Sequence, residues 1–300
     1  MAKRVFLFLV VNFLVMITLT VVMRLLGVEP FLRQYGLDYQ SLAVFCLVWG
    51  MGGAFISLLL SKTIAKIGMR VQIIDPQSSD PAARELLQTV SVLAQKADIP
   101  MPEVGIYESP ELNAFATGPT KKHSLIAVST GLLQKMNREE RDGVLGHELS
   151  HIANGDMVTM TLLQGVINAF VLFLSRVLAY VIASAMRDSD RGGDRGISYG
   201  LYFIVSLVLQ IVFMIFGSMV VAAYSRWREY RADAGGAHLA GRPSMVGALQ
   251  ALQRFYQIED PRQQPAFQNL KISAHPKGWL RLFASHPPLE VRIARLQRTA

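Results

Sequence analysis

Two histidines and a glutamate stand together at His147-Glu148-Leu149-Ser150-His151. On a helix, residues i and i+4 sit one turn apart on the same face. Both imidazoles can therefore reach one metal ion from one side. Glu148 is rotated off that face but stays beside it, where it can hold a water at the metal and take its proton. Two imidazoles for a Zn2+ ion and a carboxylate for a base are the parts of metal-assisted peptide hydrolysis. The rival reading, two surface histidines on an amphipathic helix, needs a coincidence of spacing in a chain with only 6 histidines.

The flanks predict a helix. Asn137 followed three residues later by Glu140 is a capping pair. Glu139, Glu140 and Asp142 suit a helix N-terminus. Val144, Leu145, Leu149 and Ile152 recur at helical spacing and give the segment a face to bury. Gly146 removes bulk directly before the first histidine, and Gly155-Asp156 is expected to loosen or kink the run after the second.

A catalytic zinc site takes three protein ligands and keeps a position for water. Asp156 is not expected to be the third, because five residues beyond His151 on a continuing helix it points elsewhere. The stronger candidate lies in Ser225-Arg-Trp-Arg-Glu-Tyr-Arg-Ala-Asp233. Glu229 and Asp233 are i,i+4 on a predicted helix, so one can bind the metal while the other supports a histidine from behind. Spacing leaves equally open a solvated face with salt bridges to Arg226 or Arg231. His286, in Ser285-His-Pro-Pro288, precedes a helix carrying Leu289, Val291, Ile293 and Leu296, and local sequence reads it as a surface histidine at a helix start. His123, His238 and His275 read as ordinary histidines.

A hydrophobic fraction of 51%, a charged fraction of 17% and a mean hydropathy of +0.31 do not describe an ordinary soluble domain. Lys3 and Arg4 precede an apolar run over about 5–23, long enough for a bilayer core and without an A-x-A-like cleavage site, which predicts an uncleaved anchor. A second run over about 41–60 returns to Lys62, Lys66 and Arg70. By the positive-inside rule, the N-terminus and everything after that second span face the cytoplasm. Two further runs, about 157–186 and 199–223, flank the polar segment 187–196. Arg176 lies within the first of these, where a charge must snorkel or pair.

The net charge of +8 sits partly at these flanks, and no interleaved aromatic-basic surface for nucleic acid is present. Cys46, the single cysteine, excludes an intrachain disulfide and a thiolate zinc cluster, and reads as a small core residue.

Between the second and third runs the chain reads as α+β. A helix is predicted over 82–97, with strands at 104–107 and 124–128. Leu112 to Gly118 is a possible edge strand entering a turn at Gly118-Pro119. Extended peptides bind zinc proteases by adding a strand to an exposed edge, which makes Asn113, Ala114, Phe115 and Ala116 candidate substrate contacts. An internal strand is as compatible with the sequence. The organisation expected is 1–62, two N-terminal transmembrane helices; 63–156, the half-domain with the histidine helix; 157–223, an apolar hairpin; and 224–300, a mostly helical half-domain with the third ligand.

Together these stretches resemble the HtpX family of membrane-bound zinc metalloproteases, relatives of the CAAX prenyl protease of eukaryotes. The likeness spans nearly the whole chain: two N-terminal spans, Asn113 to Gly118, His147 to His151, the apolar hairpin, Ser225 to Asp233 and Ser285 to Pro288. It implies a predominantly helical α+β, multi-pass membrane protein with a gluzincin-like zinc protease domain carrying a small β-sheet. It implies one Zn2+ per chain on His147, His151 and Glu229, with Glu148 as general base and Asp233 orienting a ligand. It gives His286 the role of stabilising the oxyanion. The implied activity is endopeptidase cleavage of misfolded or damaged membrane proteins at a bacterial-type inner membrane, with the protease domain in the cytoplasm. A prenyl-type processing protease and a non-catalytic zinc-stabilised scaffold or holdase are the alternatives.

Overall fold

The computed structural model describes residues 38–188, 199–258 and 278–298. The expected first span at 5–23, most of the polar segment 187–196, and His275 lie outside the described residues. Eight α-helices and four strands are present among them: α1 (Tyr39–Gly68), β1 (Gln72–Ile73), α2 (Pro81–Lys96), β2 (Glu103–Tyr107), β3 (Ala114–Thr117), β4 (Leu125–Ser129), α3 (Thr130–Lys135), α4 (Arg138–Asn154), α5 (Asp156–Asp188), α6 (Tyr199–Ala240), α7 (Arg242–Ile258) and α8 (Leu289–Arg298). They fall into two compact units, one within 38–56 and 161–221, the other within 57–160 and 222–298.

The first unit is apolar helix. Among the described residues, three helices are long and apolar enough to cross a membrane, at Tyr39–Gly68, Asp156–Met186 and Gly200–Ala240. Within the unit, α1 and α5 approach through small residues. A Cβ at Gly50 would lie 2.6 Å from the backbone nitrogen of Ala169, and one at Gly165 would lie 2.6 Å from the sulfur of Met51. Such close backbone approach is how helices associate where lipid offers no hydrophobic gain. Cys46 is buried in this seam with Tyr39, Ala43, Phe173 and Val177, as a core residue should be. Arg176 satisfies its charge locally: Nη1 donates to the Leu172 carbonyl at 3.0 Å, and the guanidinium lies 6.0 Å from the centre of the Phe45 ring. Phe203, Leu207, Ile211 and Phe216 on α6 are exposed, the surface expected of a helix solvated by acyl chains.

The second unit is built on a four-stranded sheet in the order β1-β2-β4-β3, with β2 and β4 parallel and the outer pairs antiparallel. The β4 strand is fully buried, matching its continuous apolar sequence Leu125-Ile-Ala-Val128. The β3 strand pairs with β4 alone and so forms an edge, with Ala114 opposite Val128 and Phe115 opposite Ala127. It ends at Gly118, whose φ of 134° only glycine adopts comfortably. Leu86, Val90 and Leu93 of α2 pack with Val104, Ile126 and Val128 of the sheet and with Leu145, Leu149 and Ile152 of α4 in one core. Lys62 and Lys66, expected as membrane-flanking cations, both reach Glu103 at the start of β2.

One expectation about the chain's course is corrected. Gly155 does more than loosen the histidine helix: it takes φ 71°, caps the last carbonyls of α4 and ends it, and α5 begins at Asp156. The α6 helix runs unbroken from Tyr199 to Ala240, so the apolar run at 199–223 and Glu229 share one helix.

Candidate metal centre

The histidine helix α4 starts as its sequence requires. Asn137 accepts from the Glu140 amide at 2.9 Å, and Glu140 accepts from the Asn137 amide at 3.0 Å, so two orphan donors are satisfied reciprocally. The helix is then pressed against α6 and α7 by glycines. A Cβ at Gly143 would collide with the Ser244 carbonyl, and one at Gly146 would come within 3.1 Å of both Ala240 and the Gly236 carbonyl. From the other side, a Cβ at Gly236 would lie 3.0 Å from the His147 amide nitrogen. Larger residues would force the helices apart and move the Glu229 carboxylate away from the imidazoles.

With the backbones this close, three side chains converge. His147 Nε2 lies 3.2 Å from His151 Nε2 and 3.5 Å from Glu229 Oε2, and His151 Nε2 lies 3.4 Å from Glu229 Oε1. Ligands about 2.0–2.1 Å from a tetrahedral zinc stand about 3.3–3.4 Å apart, so these edges match. The solvated-face reading of the acidic pair fails, because Glu229 and Asp233 are 0% and 2% exposed.

The groups behind the imidazoles explain why both Nε2 atoms point inward. Asp156 Oδ2 lies 2.7 Å from His151 Nδ1, and Asp233 Oδ1 lies 3.1 Å from His147 Nδ1, the latter off the line of a good hydrogen bond. Carboxylates on the Nδ1 side favour the tautomer with a lone pair on Nε2. Two such lone pairs repel at 3.2 Å unless a cation lies between them. Both Glu229 oxygens are buried without a hydrogen-bond partner of good geometry, a costly arrangement in the absence of a positive charge. Burial works against a charged imidazole at His147, yet the Asp233 and Glu229 carboxylates beside it outweigh that and raise the pKa to about 9. The fixed charges of the site thus call for a cation at this point, and a divalent metal fits.

The C-terminal helix supplies a counter-charge. Arg292 is buried and forms a forked pair with Asp233, Nε to Oδ2 at 2.8 Å and Nη2 to Oδ1 at 2.5 Å. Burial disfavours its charge, but Asp233 more than compensates and its pKa rises above the usual arginine value. His286 lies at the rim, with its side chain 40% exposed and Nδ1 at 2.8 Å from Glu229 Oε2. Glu148 is half-buried next to the two histidines on α4.

Residues 81–300 match the family model described as peptidase family M48. The chain is 47% identical to a protease HtpX homolog of Methylacidiphilum infernorum, over 99% of both chains. It is 46% identical to the protease HtpX of Thioalkalivibrio sulfidiphilus, over 98% of both. The chain belongs to peptidase family M48. As an M48 peptidase of the HtpX kind it is a membrane metalloprotease, and its substrates are polypeptides. Its fold is similar to the crystal structure of S. mikatae Ste24p, with a TM-score of 0.61 at 17% identity, covering 99% of this chain and 67% of that one.

In this M48 chain the structure brings together His147, His151, Glu229, Asp233 and His286, drawn from three distant stretches. The β3 edge, with Ala114 to Ala116, packs against the histidine helix α4, and just before it the Asn113 amide donates to Ser129 Oγ at 3.2 Å while the Asn113 carbonyl accepts from the Ser129 amide at 2.9 Å. His123 closes a turn with Thr120.

Two residues of the site escaped the sequence reading. On a continuing helix Asp156 would point away from the metal. It is indeed absent from the ligand triangle, but the break at Gly155 swings it back onto His151. The signal available was the glycine itself, a residue prone to end helices. Arg292 had only the weak signal of a cation among Leu289, Ile293 and Leu296 on an amphipathic helix. Replacing Asp156 with Asn should keep the fold and weaken metal affinity about 10–100-fold, read by chelator competition. Affinity equal to wild type would show that Asp156 does not orient His151.

Proposed function

We propose that this protein is a zinc-dependent endopeptidase of the bacterial-type inner membrane, with its protease domain in the cytoplasm, that removes misfolded or damaged membrane proteins. The observation that carries the reading is the convergence of His147, His151 and Glu229 ligand atoms to within 4.8 Å of one another. Among the described residues no fourth ligand joins this cluster, which supports an open catalytic site over a zinc-stabilised scaffold. Zinc, when bound there, polarises the scissile carbonyl and lowers the pKa of water from 15.7 to about 7.

The chain's own residues do the rest. Glu148 accepts a proton from the attacking water and passes it to the leaving amine. Asp156 and Asp233 hold the Nδ1 sides of the two imidazoles, keeping Nε2 free to bind. His286, partly exposed beside Glu229, donates to the oxygen that gains charge as the carbonyl is attacked. An extended substrate adds to the edge strand β3 through main-chain hydrogen bonds near Asn113 to Ala116. Such bonds are tolerant of sequence, as a quality-control enzyme requires.

The cytoplasmic orientation rests on the cations at Lys62, Lys66 and Arg70 after the second span. The four segments 1–62, 63–156, 157–223 and 224–300 are proposed as two anchors, a first half-domain, an apolar hairpin and a second half-domain. The test is cleavage by the zinc-loaded chain in liposomes of one membrane protein in folded and destabilised forms. Preferential cutting of the destabilised form in its cytoplasmic loops is expected. Equal cutting of both would refute the quality-control reading.

A further inference from the structure

Arg226 sits one helical turn before Glu229 on α6 and reaches the C-terminal segment rather than solvent. Its Nη1 donates to the carbonyl of Ala284 at 2.7 Å, with longer contacts to Leu282 at 3.2 Å and Arg281 at 3.4 Å. These carbonyls close the helical turn Gly278–Phe283. The end of a helical turn leaves carbonyl lone pairs open to a further donor and carries partial negative charge; the Arg281 carbonyl here also accepts from the Ala284 amide at 3.3 Å. A planar, permanently charged guanidinium with several donors meets both needs.

Two residues beyond Ala284 stands His286, with Nδ1 at 2.8 Å from Glu229 Oε2. Its side chain is 40% exposed, so apart from the Glu229 contact little holds the imidazole, and its aim depends on the backbone that carries it. Pro287 and Pro288 restrict that backbone on one side. On the other side the restraint is Arg226.

We propose that Arg226 is a positioning residue, which fixes the 281–286 backbone against α6 and so aims His286 at the substrate carbonyl. This rests on the reading of His286 given above. This role differs from that of a cation that merely flanks an apolar span. Such a cation is replaceable by lysine, whereas the three carbonyl contacts are all made by the terminal Nη1, one bond beyond the reach of a lysine ammonium.

The test uses the full chain in detergent, zinc-loaded, cutting unfolded casein. Arg226→Lys and Arg226→Gln should each lower kcat about tenfold with KM within about twofold, and His286→Ala should lower kcat about 10²-fold. Joined to His286→Ala, the Arg226 substitutions should add no further loss. Hydrogen exchange in 281–286 should quicken in Arg226→Gln, while exchange in 138–154 and the zinc-to-chain ratio stay as in wild type. Wild-type kcat in Arg226→Lys, losses that multiply with His286→Ala, or unchanged exchange in 281–286 would each overturn the proposal. Full activity in His286→Ala would sink the reading of His286 and this proposal with it. A loss in His286→Ala alone would sink only this proposal.

Discussion

Glu148→Gln should bind zinc as wild type does and cleave unfolded casein at least about 10²–10⁴-fold more slowly, the range expected for loss of a general base. The substitution keeps size and removes the only property the mechanism asks of this side chain, its ability to take and return a proton. Its place on α4 makes the separation clean, because the ligands that grip the metal are its neighbours and not Glu148 itself. The measurements are single-turnover cleavage and zinc content on the same preparation. Retained turnover would remove Glu148 from the mechanism, and lost zinc would mean that it holds the metal.

Arg292→Met should be the most damaging substitution to stability. Arg292 is 6% exposed and pairs with Asp233, which is 2% exposed. Removing the cation leaves Asp233 buried without its partner, next to the equally buried Glu229. Breaking a buried pair from one side costs about 3–5 kcal/mol. At about 2–4 °C per kcal/mol for a domain of this size, the thermal midpoint should fall by roughly ten degrees. Arg292→Lys should recover only part of the loss, because an ammonium cannot make the two-pronged contact. Removing both partners, as Arg292→Met with Asp233→Asn, should cost less than the sum of the two single changes. A wild-type midpoint in Arg292→Met would show that the pair carries no such energy.

The chemistry of the site was legible in sequence where it is local. The i,i+4 spacing of His147 and His151, the capping pair Asn137 and Glu140, and the i,i+4 carboxylates Glu229 and Asp233 are short-range patterns, and the structure places each on the element expected. What joins α4 to α6 is not local. It depends on Gly146 of α4 and on Gly235 and Gly236 of α6, where an added Cβ would meet Ala240, Ser150 and the His147 backbone, and nothing in their spacing announces which helix they face.

The same limit hid Arg292, whose partner is 59 residues away, and Arg226, whose carbonyl partners are 55 to 58 residues away. Asp156 was missed for the opposite reason. Its position depends on one backbone conformation, the positive φ at Gly155, and extending the helix past that glycine sent its carboxylate the wrong way.

The central claim is that one metal ion is held by His147 and His151 from α4 and by Glu229 from α6. The most direct test is the zinc-to-chain ratio of Glu229→Ala, measured after dialysis beside wild type and beside Arg231→Ala as a surface control. The account predicts about one zinc per chain for wild type and control, and less than about one-tenth for Glu229→Ala, since removing one of three ligands dismantles the site. A full complement of zinc in Glu229→Ala, resistant to the same chelator as wild type, would contradict it.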